Sequence, residues 1–270
     1  MEFNKQRTFK EIINDTFSFF HENYKMLLLV VLLFASPFAL VGGYFYSNMQ
    51  LSELTKESFG NPSVNAIGYY LTLVLANVMM ILGVYGYVYF YIKEGKGNFT
   101  IDDVWKYTTH NFGKIFGAVM SMIFLLVLGL LLLVIPGIYL MVILMLMFAV
   151  LLFEQLDYPL AFMRCFLLTK DRWWYTLGII LFVNGLVLMF GLIVLVPEMV
   201  MSFIIKSKSS GDLEGWPMRY AIIVTLSQFI VFFLQIFPQI AIILHYFNLS
   251  KEKELQLKTM NNENNTVDAS

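Results

Sequence analysis

Glu154 and Arg164 are the first side chains in this sequence whose types and spacing could do chemistry. They flank a turn at the end of a long uncharged stretch. Such a pair could hold a lipid headgroup or a coupling ion, or it could be an ion pair that pins an elbow. Charges at the end of a span more often serve the second purpose. A second set consists of amides inside apolar runs: Asn77, Asn184, Gln228, Gln235 and Gln239. Hydrocarbon penalises an unpaired amide, so these residues either bond across helices or line a polar interior. The three Gln positions, at i, i+7 and i+11, share one helical face, as a cavity lining would. A metal-dependent membrane enzyme would need clustered ligands. His21, His110 and His245 have neither His-x-x-x-His spacing nor a neighbouring Cys. No phosphate-binding glycine loop, dinucleotide fingerprint or nucleophile elbow occurs. The residues therefore point away from an enzyme and imply no cofactor or metal. With Cys165 as the sole cysteine, no internal disulfide can form.

The elements that must position these groups are apolar helices. The chain is 59% hydrophobic and 14% charged, far below the roughly 25% charge of soluble domains. Between Lys114 and Glu154 lie thirty-nine residues without a charge or a histidine. As one helix they would measure about 58 Å, nearly twice a bilayer core. Pro136-Gly137 is the expected fold point, giving one limb over 115–135 and a return over 138–153. The other expected spans are 26–46, 64–92, 173–197 (closed by Pro197) and 219–247 (kinked at Pro238). The fold class is thus all-α, a polytopic membrane protein with a six-span domain over 1–249 and a polar, disordered tail over 250–270. Tyr85, Tyr87, Tyr89 and Tyr91 read as an interfacial aromatic belt.

Three stretches repeat one device, an amphipathic surface helix that leads into a span. A gap-free alignment at offsets of 88 and 61 residues pairs Ile13 with Ile101 and Phe162, and Phe17 with Trp105 and Phe166. Three pseudo-repeats follow, each a surface helix plus two spans. Fourteen Lys and Arg residues fall on the side of the two termini and the elbows, against four on the other side. The positive-inside rule then places both termini in the cytoplasm. Basic residues are spread over four segments, which argues against nucleic acid and for contact with membrane lipids, anionic ones among them.

The order Val134-Ile135-Pro136-Gly137-Ile138-Tyr139, Glu154, Ala161-Phe162-Met163-Arg164-Cys165 and Leu168 through Trp174 carries a resemblance. Over about 115–180 the chain resembles the membrane-anchor domain of glycerophosphodiester phosphodiesterases and related stand-alone six-helix bacterial membrane proteins. The resemblance implies a bacterial inner-membrane location and marks Pro136, Gly137, Glu154, Arg164 and Trp173 as structural elbow residues. It implies no phosphodiesterase activity, which belongs to a separate soluble barrel. The expected function is accommodation or transport of lipid-like amphiphiles. The alternative is an anchor or scaffold whose elbows and tail recruit a cytoplasmic partner. Nothing in the sequence bears on oligomeric state.

Overall fold

The computed structural model describes residues 1–55, 60–132, 134–207 and 215–268, and every regular element among them is helical. The order is α1 (Phe9–Phe34), α2 (Ser36–Thr55), α3 (Pro62–Glu94), α4 (Ile101–Leu132) and α5 (Val134–Leu144). A short α6 (Met147–Ala149) then widens into a π-helical turn at Val150–Glu154, followed by α7 (Tyr158–Thr169), α8 (Trp173–Ser207), α9 (Trp216–Leu234) and α10 (Ile236–Asp268). Six stretches are long and apolar enough to cross a bilayer: Phe9–Phe34, Pro62–Glu94, Ile101–Gly129, Pro136–Glu154, Trp173–Ser207 and Trp216–Thr259. The protein is an all-α, multi-pass membrane protein.

Proline decides where the helices start. Six of the seven prolines sit in the first three positions of a helix: Pro37, Pro62, Pro136, Pro159, Pro217 and Pro238. There the missing N–H deprives no carbonyl of a partner. Several expected boundaries move as a result. The helix that carries the first expected span starts well before residue 26: α1 runs unbroken from Phe9 to Phe34, with Ala35 as its C-cap ahead of Pro37. α4 ends at Leu132 and α5 begins at Val134, so Pro136 lies in the first turn of α5 rather than at the fold point. Gly137 serves the hairpin differently. Its Cα lies 2.9 Å from where a Cβ on Gly129 would be, so the two limbs touch backbone to backbone. Pro238 follows a one-residue interruption at Gln235, which keeps a right-handed helical conformation, so Trp216–Thr259 forms one span bent there. Pro197 is the exception. It lies inside α8, which continues to Ser207 instead of closing at residue 197.

The threefold device is present, with one shift of register. Each copy has an N-cap (Thr8, Thr100, Asp157) followed by buried residues four, eight and eleven positions later. They are Ile12, Thr16 and Phe19, then Val104, Thr108 and Asn111, then Ala161, Cys165 and Leu168. The first two copies also share a reciprocal cap. Thr8 N–H donates to Glu11 Oε2 (2.7 Å) and Glu11 N–H to Thr8 Oγ1, and Thr100 and Asp103 repeat the pattern. The first and third copies keep the spacing of the gap-free alignment, whereas the middle copy is displaced by one turn. Four residues turn a helix about 40° past a full revolution, so the apolar face hardly changes and the alignment could not register the slip.

α3 forms the centre of the core. Tyr85 and Tyr87 are buried rather than belted at an interface: Tyr85 stacks on Phe153 of the π-helical turn, and Tyr87 packs on Phe19 of α1. The Tyr87 hydroxyl donates to Asn23 Oδ1 (3.0 Å), and Tyr89 stacks on Tyr107 at 4.8 Å. The return limb of the hairpin meets Trp173 at Tyr139 and Tyr246 at Glu154.

The tail expected to be disordered from Ser250 continues α10 as a helix. Glu254 pairs with Lys251 and Lys258 along the helix. Arg172 bridges Glu252 (2.6 Å), and Lys253 bridges Asp171 (2.8 Å), clasping the tail to the corner ahead of α8. The Lys253 hydrogen bond holds the Asp171 carboxyl below its usual pKa of 3.8. That contribution is full above the ordinary aspartate value and lost as pH falls through the depressed one. Spin labels on α7 and at residue 257 should therefore separate on acidification below 3.8, and Asp171→Asn should remove part of that step. A second expectation concerns packing. A Cβ on Gly43 of α2 would stand 3.0 Å from Thr225 Cα in α9, while one on Gly113 meets nothing within 4 Å. Gly43→Leu should cost about 1–3 kcal/mol, read as a lower melting temperature in maltoside detergent, and Gly113→Ala should not lower it.

Candidate functional site: an elbow and a polar cavity

The elbow brings Glu154 and Arg164 together. Arg164 Nε lies 3.0 Å from both Glu154 carboxylate oxygens, and both side chains are about three-quarters buried. Sequence reasoning missed the third member, Tyr246, whose hydroxyl donates to Glu154 Oε1 at 2.8 Å. It comes from α10, and no local pattern announces it.

The π-helical turn that carries Glu154 needs partners for its last carbonyls. Tyr107 Oη (2.8 Å) and Gln155 Nε2 (2.7 Å) donate to Leu152 O, and Lys114 Nζ (3.3 Å) donates to Leu151 O. Tyr158 Oη donates to Lys114 O. Gln155 then ends the turn with φ of 54°, a left-handed conformation unusual for a side chain with a Cβ. Cys165 is fully buried beside this cluster. Burial, with the Glu154 charge adding to it, pushes its thiol up to about 12, so the thiolate needed for reaction is scarce at neutral pH. Trp173 completes the elbow by stacking on Tyr139 (5.5 Å) and donating Nε1–H to Tyr139 O (3.2 Å). Beside it, Lys170, Arg172, Trp174 and Ile138 line an open groove of about 720 Å³.

The polar cavity lies elsewhere, between α2, α3 and α9. Its volume is about 270 Å³, and its polar lining is Asn77, Gln228, Gln235 and Tyr69, set among Phe38 and Phe232. Three of the five amides read from the sequence thus converge. The other two do not. Asn184 donates to Ile180 O of its own helix (2.8 Å). Gln239, past the interruption at Gln235, does not line the cavity. Asn77 Nδ2 likewise bonds Leu73 O (2.8 Å), so neither Asn acts as an interhelical tie through that group.

Glu198 is the residue whose role the sequence concealed. With α8 running through Pro197, this carboxylate sits within the helix, nine residues before its end. Gln228 approaches it from the cavity wall. Its Oε2 is buried and has no hydrogen-bond partner among the described residues. His245 is buried too, with Nε2 2.9 Å from Thr176 Oγ1, while His21 and His110 are exposed. Among the described residues no three His, Cys, Asp or Glu side chains gather as metal ligands would.

Compared with known protein families, curated proteins and solved structures, the chain matches none.

The elbow geometry is that of a brace. Removing Glu154 leaves the Arg164 guanidinium and the Tyr246 hydroxyl largely buried without their acceptor. Glu154→Ala should therefore lower stability by about 2–4 kcal/mol. It should also speed maleimide labelling of Cys165, which in the folded wild type proceeds roughly tenfold or more slower than after unfolding.

Proposed function

We propose that this protein accommodates or moves lipid-like amphiphiles within a bacterial inner membrane, with both termini cytoplasmic, as a stand-alone relative of the phosphodiesterase membrane-anchor domain. The convergence of Asn77, Gln228 and Gln235 on one cavity carries this reading. An uncharged amide lining beside aromatic and aliphatic walls suits a molecule with one polar end and one apolar end. The excess of basic residues on the side of the termini supports the orientation. The open groove at Lys170 and Trp173 supports contact with anionic lipid along its apolar wall. The reading as a scaffold is weaker, because residues 251–258 are bonded to one another and back onto the elbow rather than presented freely.

Native mass spectrometry of protein purified in mild detergent should find a retained amphiphile. The double variant Gln228→Leu/Gln235→Leu should lose most of it while melting within a few degrees of wild type. A wild-type protein that carries no lipid and gives no lipid flux in liposomes would overturn the proposal.

A further inference from the structure

Glu198 raises a separate question, because a carboxylate inside a membrane helix costs free energy unless something offsets its charge. Such residues normally face a partner or a cavity. The groups around Glu198 are known from each packed element. On α9 these are Gln228 and Tyr220, and Tyr220 is buried with its hydroxyl 3.4 Å from Ser202 Oγ. On α2 they are Tyr46, itself bonded to Gln50, and the exposed Glu53. On α8, Lys206 is exposed two turns further on. Arg219 of α9 lies over the Trp216 ring, 5.4 Å from its centroid. No described basic side chain pairs with Glu198, and the nearest other charge on the facing helix α2 has the same sign.

Aromatic walls complete the setting. Tyr46 packs on Tyr69 with centroids 5.2 Å apart, and Tyr69 lines the polar cavity. Gln228 is shared, since it lines the cavity and reaches Glu198. A carboxylate without a counter-ion, edged by tyrosines and joined by Gln228 to a cavity of about 270 Å³, suits a cation. An anion would meet Glu198 and Glu53 as like charges. A hydrated metal ion would require further oxygen ligands of the kind that gathered carboxylates provide, and none gather here among the described residues.

We propose that the cavity between α2, α3 and α9 binds an amphiphile through an ammonium headgroup, with Tyr69 as its aromatic wall and Glu198, reached through Gln228 and packed about by Tyr46 and Tyr220, as its counter-ion. This rests on the amphiphile reading above and names the headgroup class. The headgroup could belong to a single-charge alkylammonium or to the choline end of a phospholipid.

Equilibrium dialysis of full-length protein in maltoside micelles, with protein-free micelles subtracted, tests the proposal. The probes are dodecyltrimethylammonium, dodecylphosphocholine and dodecyl sulfate, each at low mole fraction. Wild-type protein should bind dodecyltrimethylammonium saturably, and Glu198→Gln should weaken that binding roughly tenfold, the scale of one ion pair. Tyr46→Leu, which keeps the charge, should weaken it several-fold. Dodecyl sulfate should show no saturable component. Dodecylphosphocholine binding as tightly as dodecyltrimethylammonium would identify a choline lipid as the source, and weaker binding a free alkylammonium. Equal cation binding by wild type and Glu198→Gln, or saturable sulfate binding, would overturn the headgroup assignment. If Glu198→Gln then still retained lipid in native mass spectrometry, the amphiphile reading would survive alone. Loss of lipid from wild type as well would remove both.

Discussion

A peptide carbonyl in hydrocarbon has no water to turn to, and that constraint governs this structure more than any single contact. Every helix must bond its own backbone along its length, and each break must bring partners for the groups it frees. Prolines therefore collect in first turns, where no N–H is needed. The π-helical turn at Val150–Glu154 obeys the same rule at its other end, where Tyr107, Lys114 and Gln155 take up the carbonyls of Leu151 and Leu152. Asparagines follow it too. Asn23, Asn77, Asn111 and Asn184 each send Nδ2 back to the carbonyl four residues earlier. An amide that satisfies its own helix is inexpensive to bury, which explains how so apolar a chain carries several.

The elbow and the cavity answer the constraint in opposite ways. At the elbow, the Glu154 carboxylate accepts from both Arg164 Nε and the Tyr246 hydroxyl, and the thiol of Cys165 is sealed beside them. In the cavity, Gln228 and Gln235 face open space, and the Oε2 atom of Glu198 has no described partner. Unspent polar capacity, rather than the presence of polar residues, is what separates a binding surface from a brace.

The helical class was legible from apolar runs and sparse charge, and so was the Glu154–Arg164 pair, because two opposite charges flank one break. The boundaries were not. Proline in a sequence marks a discontinuity without saying on which side the helix lies, so Pro136 reads as a bend when it lies in a first turn, and Pro197 reads as an end when α8 passes through it. That one misplacement hid Glu198, which a span closed at residue 197 leaves outside the membrane. The tyrosines of α3 misled for a related reason. Aromatic rings near a span end suit an interface, but only the packing of α1, α4 and the π-helical turn determines whether they meet headgroups or one another. The clasp of the tail depends on contacts such as Arg172 with Glu252, eighty residues apart, and leaves no trace in local composition.

The clasp also fixes where the molecule can bend. α10 is held near its middle by Asp171 and Arg172 and along its length by α1, α3 and α8. Its near end stops at Gln235, the residue that both closes the cavity and marks the interruption. A strut anchored in this way cannot slide to make room. α9, which carries Gln228, Tyr220 and Arg219, is joined to that strut at Gln235.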